Sequence, residues 1–509
     1  MNVEVGRNLS TDQVWETDVL VVGSGAGGAI AAYELANAGR DVLILEEGPF
    51  LRPKEHASLR PTQHMRAAWR QGAMTAALGI GNTPVINLTM GRCVGGSSAL
   101  TGGVCFRTPG SVLKTWTETR GLVELSEKNL EPFFDEIERR LHIQPVPEPM
   151  WSNSTHLFGA GLRKLGTKIK AIQRNTVDCS GIGQCNFGCP QGSKMSVDRS
   201  VLPEAMKRGA RLVSDCLVER LVMEGSRVVG ARGRIHREDR TRKGPRFEVR
   251  AKTVVVAAGG VHSPSLLQAS GVGKRSRQVG RNLTVHPAFR MIARFDEPVH
   301  GWSGSLQSAF TDAYEHEGVT LMSVYVPPGA MATGVPGLGP EWMSNVEKMP
   351  YFAMFGGLVH DEAGGRVRKI WGREPLVTYR MCKGDQAKIP AAMKRLGETW
   401  LAAGAQELFL PILGHQSVTP DQFRALDWGS IPARLYECSS QHPLGTCRMG
   451  THSDHSVVDG KGKVWDMDNL YVMDGSVIPT SLGVNPQETI MAMVTRLARG
   501  LAQDLPAGQ

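Results

Sequence analysis

The chain is poor in the features that mark several protein classes. Aromatic residues are 6% of its 509 residues, and its nine cysteines are too few, and odd in number, for a disulfide scaffold. No low-complexity tract or internal repeat is present, which excludes a fibrous, solenoid or disordered chain. The opening stretch MNVEVGRNLSTDQVWETD has no basic segment followed by an apolar one. It therefore reads as free of a signal peptide, and a cytoplasmic location is the default expectation, with peripheral membrane association left open. One uncharged run, Gln71 to Gly91, is long enough to span a bilayer, but Asn82, Pro84, Asn87 and several Gly and Thr argue against a span. Lys and Arg number 58 against 49 Asp and Glu, and much of that +9 excess lies in ARGRIHREDRTRKGPRFEVRAK, Ala231 to Lys252. That segment reads first as a solvated β-hairpin, and second as a docking surface for an acidic electron-transfer partner or a membrane face. Lacking aromatic interleaving and any nucleic-acid motif, it gives no reason to expect a nucleic-acid partner.

Glycine, by contrast, is plentiful at 59 residues, and it clusters in motifs. In DVLVVGSGAGGAIAAYELANAGRDVLILEEG, Asp18 to Gly48, an apolar strand-like segment runs into Gly23, Gly25 and Gly28, spaced G-x-G-x-x-G. An Ala-rich helical segment follows, ending at Gly39, and a second apolar run, Val42 to Leu45, closes on Glu46. This predicts a βαβ unit that binds a dinucleotide. Gly23 permits the tight turn, Gly25 lets the backbone approach a pyrophosphate, and Gly28 lets helix and strand pack closely. Gly23, Gly25, Ala26 and Gly28 are the expected cofactor contacts, with the phosphates on the helix N-terminus. Glu46, eighteen positions after Gly28, is placed to accept a hydrogen bond from a ribose hydroxyl, and a carboxylate there disfavours NADP.

A second glycine-dense loop, GRCVGGSSALTGGVCFRTP from Gly91 to Pro109, flanks Ser97 and Ser98 with small residues that permit close approach to a flat ligand. With it the chain resembles the glucose-methanol-choline (GMC) oxidoreductase family, whose members bind FAD through the βαβ unit and lay this loop along the isoalloxazine. Further matches follow in the family's order: KTVVVAAGGVHSPSLLQASGVG from Lys252, VGRNLTVHP from Val279, SSQHPLGTCRMG from Ser439 and NLYVMDGSVIPTSLGVNPQETIMAMVTRLARGLA from Asn469. The resemblance implies an α/β fold, with a Rossmann-like FAD-binding domain of three layers (ββα) and a substrate domain of antiparallel sheet plus helices. It divides the chain into FAD-binding parts at 1–115, 195–290 and 435–509, a helical and Cys-rich connection at 116–194, and a substrate domain at 291–434. It also implies cofactor contacts at Gly91, Gly95, Gly96, Ser97, Ser98, Val218, Ala258, Gly259, Asp474, Gly475, Asn485 and Pro486. Because no His occurs between Gly91 and Pro109, the FAD is expected to be noncovalent. Thr101 stands where many relatives have Asn and is assigned no role.

Oxidising an alcohol removes the hydroxyl proton while hydride leaves the carbon, so a base must sit within hydrogen-bond reach of the oxygen. Histidine suits this, since its ordinary pKa lies near working pH, but position alone does not choose among 14 of them. By resemblance, His442 in QHPLGTCRMG is the catalytic base and Asn485 in GVNPQET orients the hydroxyl. His286 resembles a structural position. The implied activity is FAD-dependent oxidation of a small-molecule alcohol, with oxygen, a quinone or an electron-transfer protein as acceptor. Its rivals are a non-redox FAD-containing lyase and an electron-relay subunit with a vestigial pocket.

Cys179, Cys185 and Cys189, in CSGIGQCNFGCPQGSK, are spaced C-x5-C-x3-C-P. Three thiolates on a glycine-rich loop could hold an iron–sulfur cluster. Within the resembled family some bacterial sugar dehydrogenases carry a three-iron (3Fe-4S) cluster on a similar segment, whereas long-chain alcohol and sterol oxidases have related segments without one. A cluster, a cluster-free structural loop, and a disulfide or other metal all stay open, and with a cluster the sugar or polyol dehydrogenase reading gains. In the substrate domain, Trp302, Phe310, Tyr325, Phe352, Phe355 and Trp371, with Met291, Met322, Met331, Met343, Met349 and Met354, read mostly as core. Any that line the pocket favour a bulky apolar or aromatic alcohol. The loop PPGAMATGVPGLGP, Pro327 to Pro340, reads as a surface loop, with a lid over the substrate entrance as the alternative.

Overall fold

The computed structural model describes residues 1–237, 243–274 and 276–505, which build two large sheets. In the strand Gln13–Val22 the last four residues, Val19 to Val22, are all buried, as in a parallel strand covered on both faces. It runs into the helix Ala26–Asn37, and Val42–Leu45 returns parallel beside it, with Val19 opposite Val42 and Val22 opposite Leu45. The predicted βαβ unit is thus formed. Arg211–Ser214 and Glu4–Val5 extend its parallel side.

The 14-residue strand Lys243–Val256 organises the other side. It pairs in parallel with Gln13–Val22 along most of its length. Its first part also pairs antiparallel with Arg227–His236, while Val254 to Val256 pair in parallel with Leu470–Val472. One strand therefore carries both a β meander and the segment that leads to the C-terminal residues. The basic segment forms the expected hairpin, Arg227–His236 against Lys243–Val256, and its tip at 238–242 lies outside the described residues. The C-terminal helix Gln487–Asp504 packs against Ala26–Asn37.

The second sheet holds 12 strands among the described residues, mostly antiparallel. The uncharged run 71–91 supplies two of them, Thr75–Gly79 and Ile86–Leu88, which pair with each other. No described helix is long and apolar enough to cross a membrane. The helices Asn153–Lys164 and Lys383–Ala403 cover one face, where Phe158 stacks on Phe355 at 3.7 Å between ring centroids and Trp400 meets Phe158 edge-on. Phe352, Phe355, Met291, Met322, Met331, Met354 and Tyr325 are buried in the cores of this half, while Trp302, Phe310 and Met349 pack partly buried against them. Pro327 to Pro340 folds into short helical turns, and its Met331 and Val335 are buried beside Cys185, Tyr325 and Phe352.

Candidate active site

A cavity of about 1120 Å³ opens where the parallel strands of the first sheet end. Residues immediately after three strands line it: Gly23 and Ser24, Glu46, and Ala257 to Gly259. This is where open α/β sheets place their ligands. Gly23 adopts φ +103°, the left-handed region the turn requires. A Cβ on Gly28 would lie 1.9 Å from the Gly23 carbonyl oxygen, so glycine there lets helix and turn touch. A Cβ on Gly25 would meet nothing nearer than Gly96 Cα at 3.9 Å, so it would project into open space, and no side chain caps the helix that starts there. An uncapped helix N-terminus behind a glycine cradle suits an anionic group, and the residues present fit the pyrophosphate of FAD.

Sixteen of the expected site residues can be placed against this cavity directly. Gly23, Gly25, Ala26, Glu46, Gly91, Gly96, Ser97, Ser98, Val218, Ala258, Gly259, His442, Asp474, Gly475, Asn485 and Pro486 all line it. Gly28 and Gly95 stand behind the wall: Gly28 packs on the turn, and the Gly95 N–H donates to Ser24 Oγ at 3.1 Å. Ser24 Oγ donates in turn to Glu46 at 2.7 Å, so one chain of hydrogen bonds joins the second glycine loop to the first turn. The buried Glu46 carboxylate also accepts from the Ser24 and Gly48 N–H groups. Burial pushes its pKa up, and these bonds oppose the rise. Glu46 thus buttresses the turn as well as facing the cavity, a role its position in the sequence did not announce. Asp474 is a second hub. It accepts from Gly259 N–H at 2.7 Å, from Ser476 N–H at 2.8 Å and from the Ser263 hydroxyl, joining the end of Leu470–Val472 to the start of the helix Gly259–Ala269.

His442 and Asn485, 43 positions apart, meet on the cavity wall, with His442 Nε2 3.2 Å from Asn485 Nδ2. Burial lowers the His442 pKa to about 4 by disfavouring the charged ring, so the ring is neutral at physiological pH. Its other nitrogen, Nδ1, lies 3.2 Å from Nδ1 of the fully buried His286. His286 Nε2 accepts from the backbone N–H groups of Leu482 and Gly483 at 3.0 and 3.1 Å. Sequence reasoning gave His286 no chemistry; the structure puts it against the candidate base. Nothing local in VGRNLTVHP signals that contact, which depends on strands that close 156 positions later. The reasoning also missed Gln307, Gln441 and Gln487, three carboxamides lining the cavity. Gln441 adjoins His442, and Gln487, two residues past Asn485, donates to Val104 O at 2.8 Å.

Two sequence expectations need correcting. None of the twelve aromatic and methionine residues considered for the pocket lines the cavity, and no residue of Pro327 to Pro340 does. Most pack in cores, and Trp371 faces solvent. The cavity wall thus gives no support to a bulky apolar substrate or to the lid alternative, and the core reading of most of these residues agrees with the structure. The cysteine loop is also separate from the cavity. Cys185 and Cys189 are buried and Cys179 half-buried, all three as free thiols. Cys185 Sγ accepts from the buried Arg174 guanidinium at 3.1 Å, and Cys189 Sγ from the Lys194 N–H at 3.3 Å. Among the described residues no group of three or more His, Cys, Asp or Glu side chains is placed to hold a metal ion. The residues as placed do not fit an iron–sulfur cluster.

Comparison with known proteins agrees with this architecture. Residues 17–288 and 373–493 match the N-terminal and C-terminal signatures of GMC oxidoreductases. An uncharacterised GMC-type oxidoreductase of Mycobacterium tuberculosis is 36% identical over 494 residues, covering 96% of this chain and 77% of the relative. A long-chain-alcohol oxidase of Arabidopsis thaliana is 26% identical, covering 99% of this chain and 69% of its own. The crystal structure of pyridoxine 4-oxidase from Mesorbium loti shares the fold, with TM-score 0.72 at 18% identity over 95% of this chain and 99% of that one. With its signatures, its Rossmann-type sheet and its cavity in accord, the chain belongs to the GMC oxidoreductase family and is an FAD-dependent oxidoreductase.

Proposed function

We propose that this chain oxidises a small-molecule alcohol to a carbonyl compound, with His442 taking the hydroxyl proton and Asn485 orienting the hydroxyl. The observation that carries this reading is the 3.2 Å approach of the two side chains on the wall that the glycine turns also line. Noncovalently bound FAD supplies the hydride acceptor. A neutral imidazole can accept a proton at Nε2 when Nδ1 holds the ring's own proton. His442 and His286 share one proton across their Nδ1 atoms. The Asn485 N–H favours the base-ready form, with that proton on His442, whereas the two backbone N–H groups on His286 Nε2 favour the other.

Gln307, Gln441 and Gln487, half-buried on the wall, favour an alcohol with a second hydrogen-bonding group near the carbinol over a purely apolar one, because polar groups such as the buried, unpartnered Gln487 Oε1 cost binding energy when a ligand leaves them unpaired. The test is anaerobic addition of polar and apolar alcohols to the purified flavoprotein. Bleaching of the flavin by a polar alcohol supports the reading. A flavin that stays oxidised while cyanohydrins are cleaved would make the protein a lyase instead.

A further inference from the structure

Away from the cavity, one edge of the second sheet leaves its outer face uncovered. The strands Gly365–Arg368, Leu376–Tyr379, Thr75–Gly79 and Ile86–Leu88 lie side by side there. Alternation sends Val367, Val377, Tyr379, Ala77 and Ile86 into the core and the residues between them outward. Register sets Arg366 beside Thr378 and Thr378 beside Leu78, while Arg368 lies beside Leu376. The outer face is thus apolar toward its middle and cationic along its edge strand. Met74, Leu78 and Val85 are 76%, 47% and 57% exposed, and the tip between the first two strands carries Ile370 at 47% and Trp371 at 82%. Arg366, Arg368 and Arg380 are exposed around them. The acid on this hairpin, Glu374, is held by Arg70 and His262, and Glu362, just before it, lies at the far end, where its carbonyl oxygen accepts from the Tyr379 hydroxyl.

Contiguous exposed apolar side chains mark an interaction site, and the charges choose the occupant. A second copy docking face to face would bring two identical cationic margins together. An anionic lipid surface matches both parts. Tryptophan settles at the headgroup level, Met, Leu, Ile and Val enter the acyl boundary, and arginines meet phosphates. We propose that this face docks on an anionic lipid surface, with Trp371 and Met74 inserted and Arg366 and Arg368 on headgroups. The proposal does not depend on the reaction assigned above. The same hairpin walls the flavin cavity through Lys369, Gly372 and Arg373, so docking would set the cavity beside the membrane.

Co-sedimentation of the FAD-loaded enzyme with vesicles tests this, comparing phosphatidylcholine alone with an equal mixture of phosphatidylcholine and phosphatidylglycerol. Binding is expected only to the anionic vesicles and should weaken at least tenfold from low to high salt. Each cation at the surface is worth about fivefold in affinity, so the pair Arg366→Glu and Arg368→Glu should lower binding more than twentyfold. Trp371→Asp should lower it at least tenfold. Both variants lie on the surface, and flavin content and dye-linked turnover on a soluble alcohol should stay at the wild-type level. Equal binding to neutral vesicles, absence of binding to anionic ones, or binding that both variants retain would overturn the proposal. So would a lipid-free dimer that Trp371→Asp dissociates, since the face would then belong to a second copy.

Discussion

Two glycines three residues apart should fail in different ways when each becomes alanine. At Gly28 the added methyl would sit 1.9 Å from the Gly23 carbonyl oxygen and 3.2 Å from Ala257 Cβ. Both obstacles follow directly on buried strands that hold them in place, so the helix Ala26–Asn37 must lift from the sheet. Overpacking of this kind costs about 1–3 kcal/mol, and rigid backbone as the obstacle argues for the upper end. At Gly25 the backbone is extended, with φ −70° and ψ −168°, which alanine adopts freely, and the methyl meets nothing within 3.9 Å. Replacing such a glycine restricts the unfolded chain and stabilises by about 0.4–1 kcal/mol. The methyl does project where the pyrophosphate must approach, so FAD affinity should fall at least tenfold, or about 1.4 kcal/mol. The assay is the thermal midpoint of each apoprotein together with FAD titration followed by flavin fluorescence. Gly28→Ala should lower both stability and affinity, and Gly25→Ala affinity alone. A Gly25→Ala protein that binds FAD as tightly as the parent would refute the assignment of that turn to the phosphates.

Replacing His442 by Ala should lower kcat by about 10²–10⁴ while flavin content stays unchanged, measured by steady-state turnover and the visible spectrum. With the neutral His442 ring as the proposed base and burial lowering its pKa to about 4, kcat/KM should hold level from neutral pH downward and fall only as pH drops through that value. An inflection near the ordinary histidine pKa would assign the base elsewhere. Asp474→Ala would leave the Gly259 and Ser476 N–H groups and the Ser263 hydroxyl without their acceptor. At about 1–3 kcal/mol for each buried unpaired group, the loss should exceed that of a typical core mutation, visible as a lower thermal midpoint and lost flavin, with partial recovery in Asp474→Asn.

What the sequence disclosed was local. Asp18 to Gly48 carries its own strand, turn, helix and strand, and each piece agrees with the next, so the βαβ unit could be read without knowing the rest of the fold. The second glycine loop and Asp474 were placed by motif, and both line the cavity. The substrate half was less legible for a physical reason. Apolar residues of a sheet core and of a pocket wall look the same in one dimension, and only the sheet's register tells which face each one takes. Phe355, buried against Phe158, and Trp371, exposed at a hairpin tip, sat together in the sequence reading and part company in the fold.

The chemistry of the site was the least legible because it is a property of convergence. His286 ends one connection, His442 another and Asn485 a third, and what joins them is pairing elsewhere. Val254 to Val256 bring in Leu470–Val472 and thereby Asn485, while Ala288, two residues after His286 in the chain, pairs with Ser439 three residues before His442. The two imidazoles are thus brought within 3.2 Å of each other by strand pairing remote from both rings in the chain, and that is why the contact could not be read from the letters around His442.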